Sequence, residues 1–256
     1  IGIAVLMFLA SIGGHLIEGV YRDNEFVVSL WRGNDLVTLV AAVPLLISAI
    51  IFARRGSVRG QLVWLGMLAY ALYNYAFYLF AAAFNELFLF YVGIFTLSIY
   101  ALIFALINTD AEKIAGRFRL QTPVKLIGGY MLFIAAGLSF LWIGSSLRFV
   151  ATGIVPADII MTEHPTGIVY ALDLSLLVPV LILGGVWLWR REAWGFVLAA
   201  MSLIKGATYT LVLTVTSLYA ANYSETPIWL SVTAASLLAI GFLLGNLKSA
   251  DEGEIL

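Results

Sequence analysis

Residues 190–219 read RREAWGFVLAAMSLIKGATYTLVLTVTSLY: two arginines and a glutamate, then an unbroken run to Tyr219 in which Lys205 is the only charge. A helix needs roughly 20 mainly apolar residues to cross about 30 Å of hydrocarbon, so the stretch reads as a membrane span rising from a basic seam. Working outward, seven more stretches qualify, giving eight at 1–17, 35–53, 61–83, 87–107, 124–147, 167–189, 193–219 and 227–247. The seams between them carry charge or turn residues, as in Arg54-Arg55-Gly56, Asn85-Glu86 and Arg190-Arg191-Glu192. The expected fold is therefore all-α, a polytopic integral membrane protein with eight transmembrane helices.

Composition agrees. Of 256 residues, 62% are hydrophobic and 11% charged, against about 25% charged in soluble domains. A formal net charge of -1 and the lack of a strong basic cluster exclude a nucleic-acid-binding chain. Cysteine is absent, which removes disulfides, thiolate nucleophiles and iron–sulfur ligation. Residues 1–17 lack a basic n-region and a cleavage motif, so they read as a shortened membrane helix rather than a signal peptide.

Orientation follows from the cations. With odd-numbered spans running outward, the inner segments hold Arg54, Arg55, Arg59, Lys113, Arg117, Arg119, Lys125, Arg190, Arg191 and Lys248. The outer segments hold only Arg22, Arg32 and Arg148. Both termini are expected on the cytoplasmic side of the cell (plasma or inner) membrane. In the inner connector, Thr109 and Glu112 have capping-box spacing, and Ile114 with Phe118 makes a short apolar face suited to the lipid interface.

The chain also resembles itself. A shift of about 126 residues sets the segment from Ile3 on the one from Gly129 and Arg22 on Arg148. Asp35-Leu-Val falls on Asp173-Leu-Ser, and a further shift of about 131 sets Asn74 and Tyr78 on Lys205 and Tyr209. The expected organisation is a four-helix repeat over 1–107, a cytoplasmic connector over 108–123, a second four-helix repeat over 124–247, and a tail over 248–256. Because each first helix runs outward, the repeats are parallel.

Ionisable groups inside a bilayer are costly, so their positions carry information. Lys205 lies about 21 Å above Arg191 at 1.5 Å per residue, close in depth to Asp173 on the preceding helix. An ion pair between them is geometrically allowed, and Tyr209, one turn outward, is placed to hydrogen-bond the same carboxylate. Tyr70, Asn74, Tyr78 and Asn85 fall on one face of the third span, among many aromatics. These residues suit a ligand-binding pocket, with Lys205, Asp173, Tyr209, Asn74, Tyr78 and Tyr70 as its polar tips. His15 and Glu18 are i, i+3 neighbours and, with His164 in the other long outer loop, form a weaker candidate metal set.

Three functions are compatible with this pattern. The favoured one is binding or transport of a small, largely apolar or anionic-headed ligand in an outward-facing pocket between the repeats. The alternatives are a non-catalytic scaffold or sensor, and a metal-dependent intramembrane enzyme using His15, Glu18 and His164. A retinal Schiff base on Lys205 fits poorly with an eight-helix count. The sequence leaves any cofactor open, and the expected partners are the lipid bilayer and a small apolar or anionic ligand.

Overall fold

A computed structural model describes residues 1–248; all of the expected tail but Lys248 lies outside the described residues. The ten helices among these residues are α1 (Gly2–Leu16), α2 (Glu25–Arg54), α3 (Val58–Ala81), α4 (Phe88–Ile107), α5 (Ala111–Ala115), α6 (Val124–Thr152), α7 (Ala157–Thr162), α8 (Ile168–Trp189), α9 (Ala193–Tyr219) and α10 (Thr226–Gly245). Seven of them (α2, α3, α4, α6, α8, α9 and α10) are long and apolar enough to cross a membrane, and α1 is a shorter apolar helix of 15 residues. This is the architecture of a multi-pass membrane protein. The sole bridge among the described residues is the antiparallel pair Phe118–Leu247.

Position in the bundle follows polarity. The two long helices with the lowest mean hydropathy, α3 and α9, are also the most buried, at 72% and 67% of their apolar windows. The other five are 22–39% buried. Helices that carry polar side chains gain by turning them toward protein, whereas purely apolar ones lose nothing by facing lipid. The central pair is in close contact. A Cβ added to Gly66 of α3 meets the Cβ of Ile204 of α9 at 2.5 Å, so only a glycine fits there.

Several expected boundaries shift. Residues 25–34 are helix rather than outer loop, because Asn24 caps the new start by accepting from the Val27 amide at 3.0 Å. Val27 and Trp31 on that extra stretch are fully buried, and their burial stabilises it against the polar sequence around them. In the connector, Asp110 rather than Thr109 is the cap, accepting from the Lys113 amide at 2.9 Å, while Thr109 Oγ1 bonds back to the Ala105 carbonyl. Ile114 and Phe118 are buried in the protein, Phe118 stacking on Phe196 of α9 at 4.6 Å, and do not form a lipid-facing patch. Gly241 and Gly245 have open space around them and mark no close helix packing.

Two elbows match residue for residue. A five-residue π-helical turn, Thr38–Ala42 in α2 and Asp173–Leu177 in α8, is followed by Val-Pro and then by the rest of a 12-residue α-helical segment. The wider turn accommodates Pro44 and Pro179, whose rings cannot accept a regular i−4 geometry. Each helix ends in a turn with a left-handed residue, Gly56 (φ 80) or Arg191 (φ 57). Next, Gly60 packs on the backbone of Phe52 and Ala53, and Gly195 on that of Trp187 and Leu188. One constant offset, the one that carries Pro44 onto Pro179, relates all of these pairs. That register aligns Thr38, not Asp35, with Asp173, and Tyr70, not Asn74, with Lys205, one helical turn away from the alignment expected from sequence.

Candidate functional site

Every polar side chain of the first half's expected site is paired within the protein. The hydroxyls of Tyr70 and Thr38 meet at 3.3 Å, and Asn74 and Asn34 exchange two amide hydrogen bonds at 2.8 and 3.2 Å. Tyr78 donates to Asp35 at 3.0 Å and to the Trp31 carbonyl at 3.2 Å, while Tyr21 donates to the other Asp35 oxygen. These bonds form a polar ladder between α2 and α3, flanked by rings in tilted contact: Trp31 with Tyr78 at 4.5 Å and Tyr78 with Tyr91 at 5.1 Å. Asn85 lies beyond α3, where it accepts from the Leu87 amide at 2.9 Å. Tyr70, Asn74 and Tyr78 are not among the residues that line the cavity described below.

The second half is built differently. Asp173 Oδ1 accepts from Tyr73 at 2.6 Å, and Oδ2 from the Trp142 indole at 2.8 Å. Lys205 and Asp173 do not touch, because no ion pair within 4.0 Å joins them. The Lys205 ammonium instead sits on the face of the Tyr73 ring, 3.4 Å from its centroid, and 4.7 Å from that of Tyr209. Tyr73 thus stands between the two charges, its hydroxyl on the carboxylate and its π-face under the ammonium, a favourable arrangement in a desolvated site. Tyr209 packs its ring edge-on to Tyr73 at 4.8 Å and is not the hydroxyl that holds Asp173.

Beside this cluster is a cavity of about 500 Å³. Its deep wall is α9, through Ser202, Lys205, Tyr209 and Thr216; α6 contributes Tyr130, Ile134, Leu138 and Trp142. Val232 and Ser236 of α10 and Leu177 of α8 complete it, with Phe26, Leu30, Asn34 and Phe77 as a wall from the first half. The cavity is thus chiefly inside the second half rather than midway between the halves. Ile159, Met161 and Thr162 of the short helix α7 roof it. That roof is tied down on both sides, as Tyr170 donates to Asp158 at 2.9 Å and Asn24 to the Met161 carbonyl at 3.1 Å.

Two buried polar atoms facing the cavity have no partner, Ser202 Oγ and His164 Nε2. Such groups are uncommon in folded proteins and point to something that fills the space. Ser202 is 5% exposed and one turn from Lys205, on the same helix face. His164 meets the Phe77 ring edge-on at 6.2 Å, and burial holds its imidazole below the usual histidine range despite the opposing pull of Asp23. No group of three metal-ligating side chains occurs among the described residues, so His15, Glu18 and His164 are not brought together.

Of the expected site, Lys205, Asp173 and Tyr209 converge on the cavity, along with His164, which was expected to serve a metal. Sequence reasoning missed Tyr73, Trp142 and Ser202. Ser202 had a signal, sitting three residues before the buried lysine, whereas Trp142 and Tyr73 reach Asp173 across 31 and 100 residues. Compared with models of protein families, with curated proteins and with solved structures, the chain gives no match.

Proposed function

We propose that this chain is a ligand-binding membrane protein, and that the cavity beside Lys205 holds a small, largely apolar molecule with one polar end. The observation that carries this reading is the pairing of a buried ammonium with an unpartnered buried hydroxyl at the deep end of an aromatic-walled space. The volume lies within the roughly 300–1,000 Å³ typical of small-molecule sites, and apolar walls with a few convergent polar groups are their usual composition. Transport is an extension of this reading, in which the ligand leaves by a different side from the one it came by.

The same reading takes α1 as an eighth, shortened span and places both termini on the cytoplasmic side. At one end of the bundle Arg59 donates to the carbonyls of Leu244 and Leu247, and Arg191 to those of Leu120 and Thr122. That basic end is the cytoplasmic one by the positive-inside rule. The elbows, matched in a single register, support a parallel duplication of a four-helix unit.

Native mass spectrometry of gently solubilised protein tests the binding reading. The expected result is one small organic adduct per chain, lost in Lys205→Met. A chain carrying nothing, or only mixed phospholipid, in both proteins would remove the basis for it.

A further inference from the structure

The head group that suits this cavity is set by charge balance, an argument that rests on reading the cavity as a ligand site. Its deep end holds one cation and one anion, Lys205 and Asp173, which sum to zero whichever of them carries the proton. The other charged residues lining it are Asp158 and Glu225, both acidic, with Asp158 next to the roof. An anionic ligand would make a poorly hydrated site net negative, which is costly where the effective dielectric is low. Both oxygens of Asp173 already accept one bond each, from Tyr73 and Trp142, which leaves the Ser202 hydroxyl, able to donate or accept, and the donor-only Lys205 ammonium as the groups without a protein hydrogen bond at this end. Both can donate to a ligand oxygen.

Access is from the side. Tyr130 of α6 reaches Ser236 Oγ at 2.8 Å and the Val232 carbonyl at 3.3 Å on α10, closing the seam between these helices at that level. Elsewhere along it, Phe133, Leu141 and Ile228 both line the cavity and are 74%, 55% and 56% exposed. The space therefore opens onto the apolar flank of the bundle, where a hydrocarbon-soluble molecule is concentrated.

We propose that the cavity takes an uncharged, membrane-dissolved carbonyl compound, its oxygen accepting from Lys205 Nζ and Ser202 Oγ and its apolar body lying between α6 and α10. Two labelled probes test this on the full purified chain: decyl-benzoquinone, a neutral dicarbonyl, and oleate, a carboxylate. The quinone is expected to bind saturably at one site, at least tenfold tighter than oleate. Lys205→Met weakens it about tenfold and Ser202→Ala by less, as loss of a charge-assisted and then a neutral hydrogen bond implies. Asp173→Asn removes the carboxyl that balances Lys205, so preference shifts toward oleate, a gain that a damaged fold does not produce.

Oleate binding the wild type more tightly than the quinone overturns the head-group assignment but leaves the cavity a ligand site, provided the binding depends on Lys205. Quinone binding indifferent to both Lys205→Met and Ser202→Ala overturns the assignment as well. If neither probe binds and the purified chain carries no adduct, this proposal and the ligand-binding reading fall together. If neither binds but an adduct is retained, a charged adduct overturns the proposal and a neutral carbonyl compound upholds it.

Discussion

The two elbows of this protein are built to one plan, yet one is sealed and the other is open. At the first, Thr38 and Tyr70 close on each other. At the second, the two matching positions hold Asp173 and Lys205, which do not touch. The short α1 packs against the first elbow, and a Cβ added to its Gly14 would lie 2.0 Å from Asp35 Oδ2. Beside the second, a Cβ added to Gly137 of the longer α6 meets nothing within 4 Å. The contrast teaches that buried polarity has two uses. Paired in packed protein, as in the ladder between α2 and α3, it fixes helix register; left unpaired it marks a site only beside a space, since Ser11, Tyr91 and Ser98 of the first half also leave buried hydroxyls without a partner.

The largest expected effect breaks the comparison at its two aspartates. Each holds two donors, but Trp142 lines the cavity and has room to turn, whereas Tyr21 and Tyr78 are buried in packed protein. Asp35→Ala is therefore expected to lose about 3 kcal/mol or more, taking each lost bond to a charged group at about 1.5–3 kcal/mol. Asp173→Ala should lose about half as much by thermal unfolding in detergent, and equal losses would mean that the second elbow is as sealed as the first.

Next comes the amide pair. Asn74→Leu leaves the Asn34 side-chain NH2 without its acceptor, with only Thr38 still donating to the Asn34 oxygen at 3.4 Å, for a loss of about 1–3 kcal/mol. Asn34→Leu added to it should recover most of that, since neither polar group is then stranded. A double variant as weak as the sum of the singles would show that the ladder does more than pair with itself.

Smaller and opposite in sign is the effect of filling the open half. Gly137→Leu gains about 0.5–1 kcal/mol of helix propensity, because glycine is poor in a helix interior and nothing obstructs the new side chain. Stability should hold or rise slightly, while the bound adduct disappears. The smallest effect concerns His164. Its folded-state basicity lies below that of the free residue, so the unfolded chain takes up the proton more readily. The stability it contributes is present above about pH 6.5 and fades as pH falls below that value. A melting series from pH 7.5 to 5 should show this slope in the wild type and lose it in His164→Gln.

Much of the fold was legible because hydrocarbon imposes length and composition, and the helix positions follow within a few residues. The polar start of α2 was not, since Trp31 is buried against Phe77 and Tyr78 of α3, which no local window contains. A likeness of the two halves was expected from sequence, and the two matching elbows align in a register one turn away from the expected one. Similar charges tempt an alignment of Asp35 with Asp173, whereas the backbone places Val43-Pro44 on Val178-Pro179. In the site, Lys205 and Asp173 announced themselves by being ionisable in apolar sequence. Their separation did not, because the ring of Tyr73 that intervenes comes from a helix far away in the chain.

With no native cysteine to interfere, single thiols report directly whether one elbow is open and the other closed. Ser202→Cys and Ser11→Cys place a thiol at two buried, unpartnered positions, one facing the cavity and one inside the first half. The measurement is the rate of alkylation by a small membrane-permeant maleimide in the folded chain. The account predicts labelling at position 202, slowed by decyl-benzoquinone, and none at position 11 until the protein is unfolded. Equal protection of both thiols, or faster labelling at position 11, would contradict it.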